Sequence, residues 1–209
     1  MFSLQRLFGK EDKFLELLNA SAEEAHESVR LVIELIKSPR NTKNFDSLVL
    51  SRRKEKKIAE QISEELVKTF ITGLEREDIE ALARALYKIP KSAEKLGERF
   101  MVAEERGRVV DFSKQAEMMA KATDVVLEMV QQLRRMEDLE KIKELNDKLQ
   151  YVEGEADKLM NELLRDIYSG KYDALSAMVV RDLHELIEKV IDRCRDVGNV
   201  VVQIILKNS

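Results

Sequence analysis

The chain has 209 residues, 44% of them hydrophobic, which suits one large domain or two small ones with a buried core. The 36 basic and 40 acidic side chains give a net charge of −4, which argues against a nucleic-acid partner because phosphate-backbone binding needs a basic surface. The lone Cys194 excludes an intrachain disulfide, and no apolar run of about 18 residues or secretory cleavage site is evident. We therefore expect a cytoplasmic protein.

Apolar residues at helical spacing predict three helices in the first half. The first runs from Phe14 to Ile36 and ends at Ser38-Pro39, because proline cannot continue the backbone hydrogen bonds. The second stripe contains Val49, Ile58, Ile62, Leu66 and Phe70. The third contains Ile79, Leu82, Leu86, Ile89, Ala93, Leu96 and Phe100. Pro90 lies inside the third helix and is expected to bend it or to loosen one turn.

The second half repeats this pattern with three more helices. The fourth begins near Asp111 or Ser113, either of which can cap it. The fifth ends at Ser169-Gly170, and the sixth runs from Leu175 to Ile204. No segment alternates with strand period for long. The sequence thus predicts an all-α fold of six long helices in two tandem three-helix bundles, residues 1–107 and residues 108–209.

A register that repeats at an offset of 101 residues supports an internal duplication. Apolar positions align across this shift: Ile58 with Leu159, Ile62 with Leu163, and Leu66 with Ile167. At the polar positions, by contrast, the two halves carry side chains of different charge. Glu153, Asp157, Glu188 and Asp192 of the second half correspond to Arg52, Lys56, Tyr87 and Lys91 of the first.

The acidic pairs of the second half form a candidate metal site. Glu153 and Asp157 share one helix face, as do Glu188 and Asp192, because residues four apart project from the same side. Both pairs lie at similar distances from the turn at Gly170, so antiparallel helices would bring them to one height. Oxygen-only ligation suits Mg, Ca, Mn or Fe. The alternative is a solvated face paired with neighbouring basic side chains.

The basic counterparts Arg52, Lys56 and Lys91 predict a different chemistry. Positive charge excludes a divalent cation here and favours acidic groups instead. These are the neighbouring Glu55 or Glu94, a bound anion, an acidic partner, or the acidic face of a second copy in a homo-oligomer. The alternative is a solvated helix face.

Two segments resemble PhoU-like proteins, in the branch associated with low-affinity phosphate permeases. The string from Lys68 to Ile79 is similar to the turn signature of that family, with Gly73 where proline is usual. The string from Glu153 to Asp157, together with Glu188, Asp192 and Asp196, resembles its acidic metal motif. The opening residues Met1-Phe2 and Leu7–Lys10 are also similar.

This resemblance implies two three-helix bundles and a regulatory rather than catalytic task. It also implies a metal, often iron or zinc, on Glu153, Asp157, Glu188, Asp192 and Asp196, with a phosphate permease or phosphate-sensing protein as partner. Two alternatives stay open: a metal-dependent helical enzyme acting on a phosphate-containing small molecule, and a structural bundle without a ligand. No nucleophile with a base stands out in the sequence.

The N-terminal segment is a short amphipathic start, with Phe2, Leu4, Leu7 and Phe8 beside Arg6 and Lys10. Such a segment could touch a membrane surface or a permease, or it could cover one end of a bundle.

Overall fold

The residues that the computed structural model describes, 4–38, 42–103, 106, 110–135 and 139–208, form six α-helices. These are α1 (Leu4–Lys37), α2 (Thr42–Lys68), α3 (Arg76–Val102), α4 (Ser113–Gln132), α5 (Leu139–Tyr168) and α6 (Ala174–Asn208), with a 3₁₀ turn at Leu133–Arg135. No strand occurs within these ranges, so the all-helical prediction is confirmed. None of these helices is long and apolar enough to cross a membrane.

The apolar stripes form the core as their spacing predicts. In α3 the predicted stripe is buried from Ile79 to Phe100, and the helix continues through the buried Pro90. The C-terminal apolar run is also buried at Val201, Ile204 and Ile205. The side chains of the predicted N-terminal amphipathic segment lie outside the described part of the structure, in which α1 has described side chains only from Lys13 onward.

The predicted stripe of α2 is wrong at Phe70. The helix ends at Lys68, and the Phe70 side chain is 98% exposed. The reason is the turn that follows, in which the guanidinium of Arg76 donates to the carbonyl oxygens of Thr69 (2.6 Å) and Leu66 (2.7 Å). These contacts satisfy carbonyl groups that the end of a helix leaves without partners. At the equivalent end of α5, Gly170 turns the chain with a φ of 85°.

The helices pack in two groups of three. Helices α1, α2 and α3 contact one another, as do α4, α5 and α6, and the groups meet through α1 with α4 and α3 with α6. Helices α3 and α6 are antiparallel, since Lys207 pairs with Asp78 at one end (2.8 Å) and Arg99 with Asp182 at the other (3.0 Å). The predicted boundary at residues 107–108 lies outside the described residues.

The predicted offset of 101 also relates the buried positions of the first and fourth helices. Leu18 and Met119 are fully buried, and the pairs Val29 with Val130 and Val32 with Leu133 are buried as well; each pair differs by 101 positions. The same shift relates the third helix to the sixth at Leu82 and Leu183. Sequence register and three-dimensional packing therefore describe the same duplication.

Candidate functional site

The predicted acidic residues come together at the seam between α5 and α6. Glu153 is half-buried on α5 and Asp157 is exposed one turn later. Across the seam, Glu188 and Asp192 are half-buried on α6, and Asp196 lies one turn beyond. Their places beside the core residues Ala156, Ile187 and Ile191 keep them at the edge of the helix interface rather than inside it.

Three carboxyl groups of this cluster interact directly. Partial burial, a hydrogen bond with Asp157 and the charge of Asp192 raise the pKa of Glu188 well above its usual range. Partial burial, followed by the charges of Glu153 and Asp157, also raises the pKa of Asp192. Crowded carboxylates favour protonation or a cation because either one relieves their repulsion.

Two other members of the cluster are engaged by arginine. The Arg195 guanidinium donates to Glu153 across the seam, and Arg193 donates to Asp196 at 2.7 Å on the same helix. Among the residues that the structure describes, no three His, Cys, Asp or Glu side chains converge as a ready-made metal site. The donor chemistry fits a hard cation, whereas the present side-chain directions favour carboxyl–carboxyl and carboxyl–arginine contacts.

A buried histidine beneath this cluster is a feature that the sequence did not reveal. Gln115 of α4 hydrogen-bonds His184 Nδ1 at 3.0 Å, and the Phe112 ring lies 4.8 Å from the imidazole. Burial lowers the pKa of His184 to about 4, so the ring is neutral at physiological pH. Its Nε2 has no hydrogen-bond partner within the described part of the chain. A small cavity lined by His184 and Glu188 lies between α4, α5 and α6.

The basic counterparts in the first half do not form one open site. Arg52 is mostly buried, with its guanidinium 4.1 Å from the centre of the Tyr87 ring and bonded to the Tyr87 hydroxyl. Lys56 is exposed, with its Nζ 3.7 Å from Glu60. Lys91 is exposed on α3.

The two halves carry the same inter-helix ion pair with its charges exchanged. In the first half, Arg52 on α2 lies 3.9 Å from Glu94 on α3. In the second, Glu153 on α5 pairs with Arg195 on α6, and each of these positions is 101 residues beyond its counterpart. The location of the pair is therefore common to both bundles, whereas its polarity is not.

A second buried feature that the sequence did not reveal lies between α1 and α2. We call it the polar seam, and it consists of Ser21, Glu24, Ser28, Ser51 and Glu55. Its signal was available: the offset of 101 aligns these residues with Ala122, Val125, Met129, Val152 and Ala156. The sequence signal is therefore a set of polar residues in the first repeat where the second repeat has apolar ones.

Comparison with known proteins shows similarity over nearly the whole chain, although no protein-family model matches it. The "UPF0111 protein YkaA" of Bacillus subtilis (strain 168) is 27% identical, over 96% of this chain and 98% of its own length. The "Putative pit accessory protein" of Rhizobium meliloti (strain 1021) is 20% identical, over 98% and 97%.

Two solved structures have the same fold. A PhoU-like protein from Shewanella oneidensis MR-1 aligns with a TM-score of 0.78 and 14% identity, covering 92% of this chain and 99% of that protein. PhoU from Pseudomonas aeruginosa aligns with a TM-score of 0.72 and 13% identity, covering 97% and 100%. The predicted resemblance to PhoU-like proteins is confirmed at the level of the fold.

Proposed function

We propose that this chain is an accessory or regulatory protein of phosphate transport, which binds a metal and acts through contact with a phosphate permease rather than by catalysis. The observation that carries this proposal is similarity over nearly the full length. One relative is named as a pit accessory protein. The two PhoU-like structures align over at least 92% of this chain and 99% of their own. The same proposal includes a phosphate permease as the binding partner. It also includes a cytoplasmic location of this chain, at the membrane face.

Burial of the Cys194 thiol and of the His184 imidazole supports a role without catalysis. The Cys194 thiol is completely buried, and burial raises its pKa far above the usual range, so it is a poor nucleophile. The His184 imidazole is also buried, and burial lowers its pKa to about 4, so it is poorly placed for proton transfer to a substrate. General acid–base catalysis needs such a group within reach of a substrate.

A metal would be held by the acidic cluster of α5 and α6. Asp157, Glu188 and Asp192 are the ligands we propose, with Glu153 and Asp196 at the rim beside their arginines. A bound cation would supply positive charge where three carboxyl groups otherwise compete for protons. Iron, zinc, manganese, magnesium and calcium are the candidates, with oxygen ligation favouring the harder ions.

We assign contact with the permease to the turn between α2 and α3. Three apolar side chains are exposed there: Val67 (83%), Phe70 (98%) and Ile71 (60%). The turn is held by the Arg76 contacts and by a hydrogen bond from the Thr72 hydroxyl to the Leu74 carbonyl (2.6 Å). A fixed turn that presents aromatic and aliphatic side chains is suited to binding because little conformational entropy is lost on contact.

The test is phosphate uptake in cells that lack this chain, complemented with the wild type or a variant. We expect the double variant Phe70→Ser and Ile71→Ser to lose both restored uptake and co-purification of the permease. Val102→Ser is the matched control, since Val102 is 86% exposed at the other end of α3. Unchanged uptake in the deletion strain would contradict the regulatory role. Loss in the control as well would contradict the assignment of the turn.

A further inference from the structure

The polar seam is a continuous buried strip of oxygen donors between two antiparallel helices. The Ser21 hydroxyl donates to Glu55 Oε1 at 2.8 Å, and the hydroxyl oxygens of Ser28 and Ser51 are 2.6 Å apart. The Ser51 hydroxyl also lies 3.5 Å from the backbone carbonyl of Glu24. Glu55 is completely buried, and Glu24 keeps only 14% of its side chain exposed.

The fold does not need this polarity. The equivalent positions between α4 and α5 are all apolar: Ala122, Val125, Met129, Val152 and Ala156. Three of these, Ala122, Met129 and Ala156, are themselves buried, so the same geometry is filled without any polar group. Burying hydroxyl and carboxyl groups costs stability compared with an apolar interior. The polar seam is therefore a property of the first bundle that its architecture does not explain.

The seam also contains carboxyl oxygens that the protein leaves without partners. Glu55 Oε2 and Glu24 Oε1 are both buried, and neither has a hydrogen-bond partner among the described residues. The charge of Glu24 acts on Glu55, so the two carboxyl groups lie close enough to interact. A buried polar atom without a partner destabilises the folded state, so native proteins almost always satisfy such atoms with a ligand, an ion or water.

We propose that the polar seam is a binding site for one hard cation, with the carboxylates of Glu24 and Glu55 as its principal ligands and serine hydroxyl oxygens completing the shell. All the available donors are oxygen atoms, which favours Na⁺, K⁺, Mg²⁺ or Ca²⁺ over softer metals. The partly exposed Glu24 provides the side from which the ion enters.

The neighbouring basic side chains do not occupy the proposed cation site in the polar seam. Lys54 is 68% exposed, and its Nζ lies 3.9 Å from Glu24 Oε2, on the solvent side. Arg52 adds positive charge near Glu55, but its guanidinium contacts Tyr87 and Glu94 on α3. Two carboxyl groups thus face the seam, and neither Lys54 nor Arg52 is bonded to their unpartnered oxygens.

This site is separate from the acidic cluster of α5 and α6, and it does not rest on the proposed function. The experiment uses the full chain carrying Asp157→Asn and Asp192→Asn, so that cations at the acidic cluster do not contribute. Thermal unfolding is measured at slightly alkaline pH in chlorides of sodium, potassium, magnesium and calcium, each against choline chloride at equal ionic strength.

We expect at least one cation to raise the midpoint of unfolding progressively with its concentration, because a ligand that binds only the folded state stabilises it. Glu55→Gln should abolish this shift, and the exposed Glu60→Gln should retain it. If Glu55→Gln does not fold, Glu24→Gln with calorimetric titration of the same cation serves instead, and binding should be lost. The proposal would be overturned if no cation raised the unfolding midpoint above its value in choline chloride. It would also be overturned if the rise persisted in both Glu55→Gln and Glu24→Gln.

Discussion

The Cδ2 atom of Leu149 on α5 lies 2.6 Å from the place that a Cβ atom on Gly198 of α6 would occupy. The same relationship holds 101 residues earlier, where Leu48 Cδ2 lies 2.6 Å from the equivalent place on Gly97. Glycine allows the second and third helices of each bundle to approach until a leucine fills the missing side chain. Both halves share this contact, so it belongs to the packing of the duplicated three-helix unit rather than to a site in one half.

Replacing either of these glycines with alanine should destabilise the protein. Leu48 and Leu149 are fully buried, so their methyl groups cannot move without disturbing the core. Overpacking of this kind costs about 1–3 kcal/mol. Gly154→Ala is the matched control, since no atom lies within 4 Å of a Cβ there, and replacing a helical glycine with alanine stabilises by up to about 1 kcal/mol. Denaturant unfolding measures the difference, and equal effects at Gly198 and Gly154 would contradict the packing argument.

Exchanging the charges of the Glu153–Arg195 pair should leave the protein nearly as stable as the wild type. The first bundle already carries the reversed arrangement in Arg52 and Glu94. Each single reversal, Glu153→Arg or Arg195→Glu, should place like charges opposite each other across the seam, and the double variant should remove that repulsion. Because Arg195 is 44% exposed, we expect a coupling of about 0.2–1 kcal/mol.

A double-mutant cycle in denaturant measures this coupling. Repeating the cycle at high salt is the control, since screening should weaken an exposed pair. A double variant no more stable than the sum of its single variants would show that the two side chains are not coupled.

The stability of the protein in choline buffer with a chelator should fall as pH rises from about 6.5 toward 8. Burial is the main cause that raises the pKa of Glu55 to about 8, whereas in the unfolded chain the group loses its proton near its ordinary pKa of about 4.3. Within this window the folded state holds the extra proton. The stability that Glu55 contributes is therefore complete below the pKa of this group in the unfolded chain. That stability is lost as pH rises through the pKa of the group in the folded protein.

Glu55→Gln should flatten this pH dependence by up to about 1.4 kcal/mol per pH unit, and Glu60→Gln should not. His184 adds a small rise in stability at the lower edge of the window, because its folded pKa is lowered while the unfolded ring still loses its proton near pH 6.5; this rise is the same in both variants. Glu188 adds a decline of the same sign that survives in the Glu55 variant. Free energies of unfolding at several pH values measure the effect, and an equal slope in both variants would contradict the role of Glu55.

Removing two carboxylates from the acidic cluster should abolish metal retention in the second bundle. Asp157→Asn with Asp192→Asn takes away one charge from each side of the α5–α6 seam, so a cation would lose ligands from both helices. Asp147→Asn with Glu162→Gln is the matched control, because it removes two exposed charges from α5 alone. Elemental analysis and calorimetric titration provide the readout. Unchanged metal content in the Asp157 and Asp192 variant would contradict the assigned ligands.

The helices and the duplication were readable from the sequence because they depend on periodicity. The buried stripe of α3 and the shared offset of buried positions follow from which residues repeat every three or four places. The meeting of the two acidic pairs followed from their similar distances from Gly170. Such relationships hold whenever two antiparallel helices share one turn, so local pattern and chain geometry are sufficient. The particular contact of Glu188 with Asp157 did not follow from these distances, because Asp157 lies 13 residues before that glycine and Glu188 lies 18 residues after it.

Tertiary structure alone decided which polar side chains are buried and which are paired. Phe70 continues an apolar stripe in the sequence, yet the carbonyl contacts of Arg76 end the helix first and leave the ring in solvent. Glu55 reads as one more charge on a basic helix, yet packing of α1 against α2 encloses it completely. Periodicity specifies the face on which a residue lies, whereas the desolvation and partners of that residue depend on atoms brought from distant parts of the chain.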